Sequence, residues 1–353
     1  MKIKVPTLII DQQKVNSNIT RMLNKAKKSN VIFRPHFKTH QSAEIAEVFR
    51  QKRVNEITVS SVSMAIYFAD NGWDDITIAF PVNVLEIEEI NNLAGKINLN
   101  VLVESQYSAL SLSNFITHSL GVFLKIDTGY HRTGLSHDDP EIDNVIQTIN
   151  SDNQLVFKGF LSHAGHTYNA KGKVEILSIL ENAKVILSEL RQRYIKQYPD
   201  IIISYGDTPS CSMADNCEGV DEIRPGNFVY YDVMQYHIGS CGIEDIAVAV
   251  ACPVVAIHPQ RNEVVIYGGA VHLSKEFIAA DKNFKLFGYV VNFKDDGWSE
   301  PIPGAYVSSL SQEHGIIKMP EKYLKTFKPG DVIGILPIHS CLTANLLQDV
   351  IVH

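Results

Sequence analysis

The sequence has 353 residues, room for one large domain or two ordinary ones, with 45% apolar and 20% charged side chains, the balance of a globular chain. Lys and Arg number 32 against 39 Asp and Glu, a net charge of −7, which argues against a general nucleic-acid or anionic-membrane partner. Five cysteines (Cys211, Cys217, Cys241, Cys252, Cys341) are odd in number and lack CxxC spacing, so neither a disulfide framework nor a structural zinc ribbon is expected.

The opening MKIKVPTLIID is interrupted by Pro6 and Asp11 and does not read as a secretory signal. The longest apolar run, Ile246 to Ile257, contains Pro253 and is too short to span a membrane. A cytoplasmic protein is expected.

Residues 12–29 carry Val15, Ile19, Met22, Leu23 and Ala26 on one helical face, an amphipathic helix. Strands and helices then alternate. Strands are predicted at Val31–Arg34, Glu56–Ser60, Asp75–Ala79, Asn98–Val103, Val122–Ile126, Leu155–Leu161, Ile201–Tyr205 and, more weakly, Glu222–Arg224. Helical patterns lie at about 40–53, 62–71, 84–94, 105–117, 138–150 and 171–197. The strands are short and continuously apolar, as parallel strands covered on both faces should be. Eight such units predict an α/β fold, a (β/α)8 TIM-type barrel over residues 11–245. A doubly wound open sheet is the alternative, but no GxGxxG follows the first strand. From 246 to 353 the pattern becomes short strands between Gly, Pro and Asp turns, an all-β domain that Thr7–Ile10 could join as a strand.

Barrels place chemistry on the loops after their strands. The first strand runs into Arg34-Pro35-His36-Phe37-Lys38-Thr39-His40. A lysine held among cationic or apolar groups can lose its proton and become a nucleophile or Schiff-base former; taken alone, the nine residues from Ile32 to His40 favour a basic surface loop. The fifth strand leads to Asp127–Gly134, which contains His131 and Arg132. The sixth leads to Ser162–Tyr168, with His163 and His166, and the seventh to Gly206-Asp207-Thr208-Pro209-Ser210. Asn227, Tyr230 and Tyr231 closely follow the eighth. Each piece has an ordinary alternative: a turn for Gly206–Ser210, a packed core residue for either histidine, a surface ion pair for Arg132. Their convergence on one predicted face favours function.

In the β domain, Pro337-Ile338-His339-Ser340-Cys341 places an imidazole and a thiol two residues apart. On an extended strand both point to one side and suit a soft divalent metal, with zinc preferred. Alone, such a pair is weak evidence, since a buried free cysteine is a common small hydrophobe.

These residues resemble a known family. RPHFKTH at 34–40 is similar to the RPHxKTH motif of the D-threonine aldolase and D-serine dehydratase group, alanine-racemase-like fold-type III pyridoxal phosphate (PLP) enzymes. PTLIID, DTGYHRTG, HAGHTY, GDTPSCS, RPGN, SQEHG and PIHSCLTANL extend the resemblance over most of the chain. It implies a PLP-carrying barrel followed by a β domain, and a homodimer. It implies Lys38 as the Schiff-base lysine, Arg132 as a contact to the cofactor ring, Tyr168 and Gly206, Asp207 and Thr208 as cofactor contacts, and His339 and Cys341 as the metal pair. Cysteine rather than aspartate at the second metal position resembles the dehydratases. The segment Ser60–Ala65 lacks a glutamate often found there, and Leu161 stands where several relatives carry tyrosine.

The expected function is a PLP- and metal-dependent lyase acting on D-β-hydroxy amino acids, giving a 2-oxo acid and ammonia. Lys38 would take the Cα proton while the metal polarises the β-hydroxyl. Alternatives in order are a D-threonine aldolase, with His166 as the base at the hydroxyl, an amino-acid racemase, and a PLP-binding protein without turnover.

Overall fold

A computed structural model describes residues 3–279, 285–347 and 350–353. The chain divides into two compact units, Thr20–Gly226 and a second that joins the N-terminal segment up to Ile19 to Asn227–His353.

After β1 (Thr7–Ile10), the strands β2 (Ile32–Phe33), β3 (Glu56–Val59), β4 (Asp75–Pro81), β5 (Asn98–Val103), β6 (Leu120–Lys125), β7 (Leu155–Ser162), β8 (Ile202–Tyr205) and β9 (Glu222–Ile223) make up the first sheet. Their order is β2-β9-β8-β7-β6-β5-β4-β3, all neighbours parallel. A parallel bridge between His36 and Thr58 joins the two ends, so the sheet closes into the expected eight-stranded barrel. Helices at Ala43–Gln51, Val62–Asp70, Ile87–Ala94, Gln106–Phe115, Glu141–Asn150 and Lys173–Tyr194 separate the strands. Three of them begin on a serine (Ser42, Ser61, Ser105) whose hydroxyl accepts a first-turn amide, which supplies a partner for an otherwise unpaired helix-end donor. Leu102, Phe123 and Leu161, from three adjacent strands, pack together with Ala79 and Ile202 as a buried apolar cluster.

In the other unit, β10 (Val248–His258), β11 (Glu263–Tyr267), β14 (Gly288–Val291), β17 (Tyr306–Leu310), β18 (His314–Lys318), β19 (Val332–Pro337) and β20 (Val350–Val352) join β1 in a sheet ordered β11-β18-β17-β14-β19-β10-β1-β20. β10 also pairs with β11, so the sheet curls back on itself and leaves less exposed edge. β12 (Ile278–Ala279) pairs with β13 (Lys285–Leu286), and β15 (Phe293–Lys294) with β16 (Gly297–Trp298). The N-terminal strand lies antiparallel to β10 and parallel to β20. No helix among the described residues is long and apolar enough to cross a membrane.

Candidate active-site residues

Lys38 lies on a loop whose backbone is stitched to both barrel neighbours. Phe37 N donates to Thr58 O (2.8 Å), Thr58 N to Pro35 O (2.9 Å) and His36 N to Pro225 O (2.9 Å). Phe37 is fully buried, its ring centroid 5.0 Å from those of Phe49, Phe68 and Trp73. Burial of this order stabilises by a few kcal/mol, and with buried Thr39 it anchors the lysine on either side. His40 belongs to this packing rather than to the polar cluster. Its ring lies 4.4 Å from Phe37 and 5.8 Å from Phe49, and burial pushes its pKa down to about 3.

His36 and His163 share Lys38's surroundings. Burial, then the charge on Lys38, hold both imidazoles well below the ordinary range, so both are neutral near pH 7. His163 Nδ1 is hydrogen-bonded to Gly206 O. A Cβ on Gly206 would lie 2.8 Å from the backbone carbon of Arg224, so only glycine lets the turn after β8 approach that segment.

Two buried cations here escaped sequence reasoning. The Arg224 guanidinium donates through Nε to Ser204 Oγ (2.6 Å) and through Nη2 to Ser162 O. Burial lowers its pKa to about 10. Lys125 sits at the end of β6 with Nζ donating to Ile126 O (3.2 Å). Burial, helped by Arg224 and Arg132, pushes it down to about 7. A lysine inside the otherwise apolar run Leu120–Lys125 was the available signal.

The turn after β6 is organised by Asp127, which accepts the amides of Gly129, Tyr130 and His131 and contacts His131 Nδ1 at 2.8 Å. It presents Tyr130 between Arg132, 4.8 Å above the ring, and His166, stacked with centroids 6.1 Å apart. Burial lowers the pKa of His166 against the pull of Asp207 and Asp127, and its Nδ1 is buried without a hydrogen-bond partner. Tyr168 is half-buried on the same short turn, Gly165–Asn169.

Asp207 caps the helix Thr208–Met213, accepting Ser210 N (2.7 Å). Thr167 Oγ1 (3.0 Å) and Tyr205 OH (2.5 Å) also donate to it. Its charge is thereby committed to the turn. Thr208 Oγ1 is buried with no partner. That orphan hydroxyl, the close-approach glycine and the buried guanidinium fit an anionic cofactor, and Lys38 beside neutral imidazoles fits its carbonyl end.

The other unit holds the His339 and Cys341 pair, and here the expected local geometry is corrected. β19 ends at Pro337, His339 is the N-cap of the helix Ser340–Leu346, and Cys341 lies in its first turn. The strand gives way to a helix because Asp232 captures Ser340, three residues past its end: it accepts from Ser340 N (2.9 Å) and Ser340 Oγ (3.2 Å) and also from Asn227 Nδ2 (2.6 Å). His339 and Cys341 nevertheless remain hydrogen-bonded to each other; burial opposes a charged imidazole, but Cys341 and Glu276 raise the His339 pKa. Among the described residues no group of three or more His, Cys, Asp or Glu could hold a metal ion. The pair therefore offers two donors, one soft and one borderline, which suits zinc completed by small ligands.

Residues 10–233 match the family model described as alanine racemase, N-terminal domain, and residues 247–353 match that of a putative serine dehydratase domain. The chain is 32% identical over 375 residues to the D-serine dehydratase of Dictyostelium discoideum, covering 98% of this chain and 92% of the relative. It superposes on D-threo-3-hydroxyaspartate dehydratase from Delftia sp. HT23 with a TM-score of 0.89 and 25% identity, covering 99% of this chain and 95% of that one. Likeness of fold extends to the D-threonine aldolase of Filomicrobium marinum, with a TM-score of 0.79 and 22% identity over 98% of this chain and 90% of the other. By its barrel and its matching models the chain belongs to the alanine racemase N-terminal domain family, with a serine-dehydratase-type domain following the barrel.

Proposed function

We propose that this chain is a PLP- and metal-dependent lyase that removes water from D-β-hydroxy amino acids, a reaction of the D-serine dehydratase type. The observation that carries the reading is the anchored Lys38 among His36, His163 and Arg224, in a chain 32% identical to a D-serine dehydratase across nearly its whole length. The division of labour follows residues 11–245 for the cofactor and 246–353 for the metal.

Bound at Lys38, PLP supplies an electron sink at Cα, and zinc at His339 and Cys341 supplies a Lewis acid for the β-hydroxyl. Lys38 Nζ would take the Cα proton of the bound substrate. Thr208 Oγ1 and the amides of the turn at Gly206 hold the phosphate, and Asp207 keeps that turn in shape. Arg224 and Arg132 present guanidinium groups to the ring, and Tyr168 flanks it. His36 and His163, neutral through burial, line the lysine's pocket without adding charge. Net loss of the hydroxyl as water leaves an enamine acid, which tautomerises and hydrolyses to a 2-oxo acid and ammonium.

A metal role is supported by the Delftia dehydratase, of which a cysteine-to-alanine variant was solved in the metal-free form. The aldolase reading has one observation in its favour: His166 is held neutral by burial, as a base at the hydroxyl must be. The reading extends to a cytoplasmic homodimer. Lys38→Ala is the test of the cofactor site. It should abolish both pyruvate formation from D-serine and the visible absorbance of lysine-bound cofactor; retention of either contradicts the assignment.

A further inference from the structure

The His339 imidazole is not held by the metal loop alone. Its Nδ1 lies 2.7 Å from Glu276 Oε2, a carboxylate 63 positions earlier in the sequence. Glu276 reaches that position through an unusual piece of backbone. Ser274, which ends the short helix Ala270–Leu273, adopts φ 67°, ψ 177°, a region populated essentially by glycine and costing about 1–3 kcal/mol for other residues. Ser274 Oγ then accepts Glu276 N (3.3 Å), and Ser274 is itself buried. The strained turn at Ser274 lies two positions before the exposed Glu276. What it does is aim a carboxylate at one nitrogen of His339.

We propose that Glu276 is the positioning residue of the metal centre: by accepting Nδ1–H of His339 it fixes the imidazole tautomer and turns Nε2 toward the ion shared with Cys341. Oε2 is thereby committed to the ring, and among the described residues no third His, Cys, Asp or Glu joins the pair as a ligand. An oriented imidazole with its second nitrogen committed binds zinc more tightly, and loss of such a partner typically costs 10–100-fold in affinity. With two protein donors among the described residues, the centre depends more heavily on orientation than a three- or four-ligand site would. Asn227 acts at the other donor, its Nδ2 lying 3.5 Å from Cys341 Sγ, so each ligand has a partner of its own.

The inference rests on the assignment of His339 and Cys341 as metal ligands, and the experiment separates the two. Zinc affinity of the full-length, PLP-loaded protein is measured by competition with a chromophoric chelator. Cobalt substitution provides a thiolate-to-metal absorption band as a second readout. Wild type should bind one zinc per chain, lost in Cys341→Ala; if it does not, the ligand assignment fails. Glu276→Ala should weaken zinc about 10–100-fold and shift the cobalt band at unchanged Tm. Glu276→Gln, whose amide oxygen still accepts Nδ1–H, should recover most of the affinity. Wild-type affinity and an unshifted band in Glu276→Ala, with Cys341→Ala still metal-free, would overturn the positioning role while leaving the metal site standing.

Discussion

A Cβ on Gly165 would come within 2.4 Å of Tyr130 Cε1, so the glycine between His163 and His166 is the seat of the tyrosine that those two histidines flank. Tyr130 in turn underlies Arg132 and stacks on His166. The HAGH sequence is thus one half of a packed unit whose other half is the DTGYHR turn. Gly165→Ala must displace the ring, an overpacking cost of about 1–3 kcal/mol. The expected result is a Tm several degrees lower and a kcat reduced at least tenfold, checked by thermal unfolding and steady-state kinetics with D-serine.

Asp207 supports from behind the turn proposed to take the phosphate. Asp207→Ala removes the helix cap and strands Tyr205 OH and Thr167 Oγ1, which now donate to it. A loss of about 2 kcal/mol is expected, together with weaker PLP retention on dialysis. Asp207→Asn keeps an oxygen for Ser210 N and should fall between the two, measured by urea unfolding and cofactor absorbance.

His40 gives a pH test with a definite sign. Its pKa falls from 6.5 in the unfolded chain to about 3 in the folded one. The unfolded chain therefore binds the extra proton between those values. Stability contributed by neutral His40 is complete above pH 6.5 and is lost as pH falls toward 3, at about 1.4 kcal/mol per unit. His40→Phe, which fits the surrounding Phe37, Phe49 and Phe68 rings, should retain activity. It should also lack about 2 kcal/mol of the loss that wild type shows between pH 7 and pH 5 in urea unfolding. Equal losses in both proteins would remove His40 from the acid response.

Much of the barrel was legible because strands such as Leu120–Lys125 and Asn98–Val103 are buried on both faces and so read as apolar runs. Leu155–Ser162 and Asn98–Val103 lie where those runs predict. The closing strands are shorter than expected: β2 keeps only Ile32–Phe33, since Pro35 lacks an amide, and β9 only Glu222–Ile223. β18, His314–Lys318, is hard to read as a strand because its apolar stretch is two residues long. The loops after β2, β6, β7 and β8 were correctly assembled from strand order alone. What sequence could not show was partnership at long range. Arg224 is a buried cation because Ser162, Ser204 and Glu222 converge on it from three strands. His339 and Cys341, the proposed metal pair, sit at a helix start rather than on a strand because Asp232, more than a hundred positions away, takes Ser340 N. Grouping His40 with the polar loop residues failed for the same reason, since Phe49 and Phe68, from the next two helices, join Phe37 around its ring.

The most direct test is product analysis with D-threonine, a substrate that elimination and retro-aldol cleavage divide differently. Purified protein is incubated with PLP and zinc, beside a sample stripped with EDTA. The account predicts 2-oxobutanoate and ammonia in equal amounts, lost on chelation and restored by zinc. Glycine and acetaldehyde in their place would contradict it and establish carbon–carbon cleavage as the reaction.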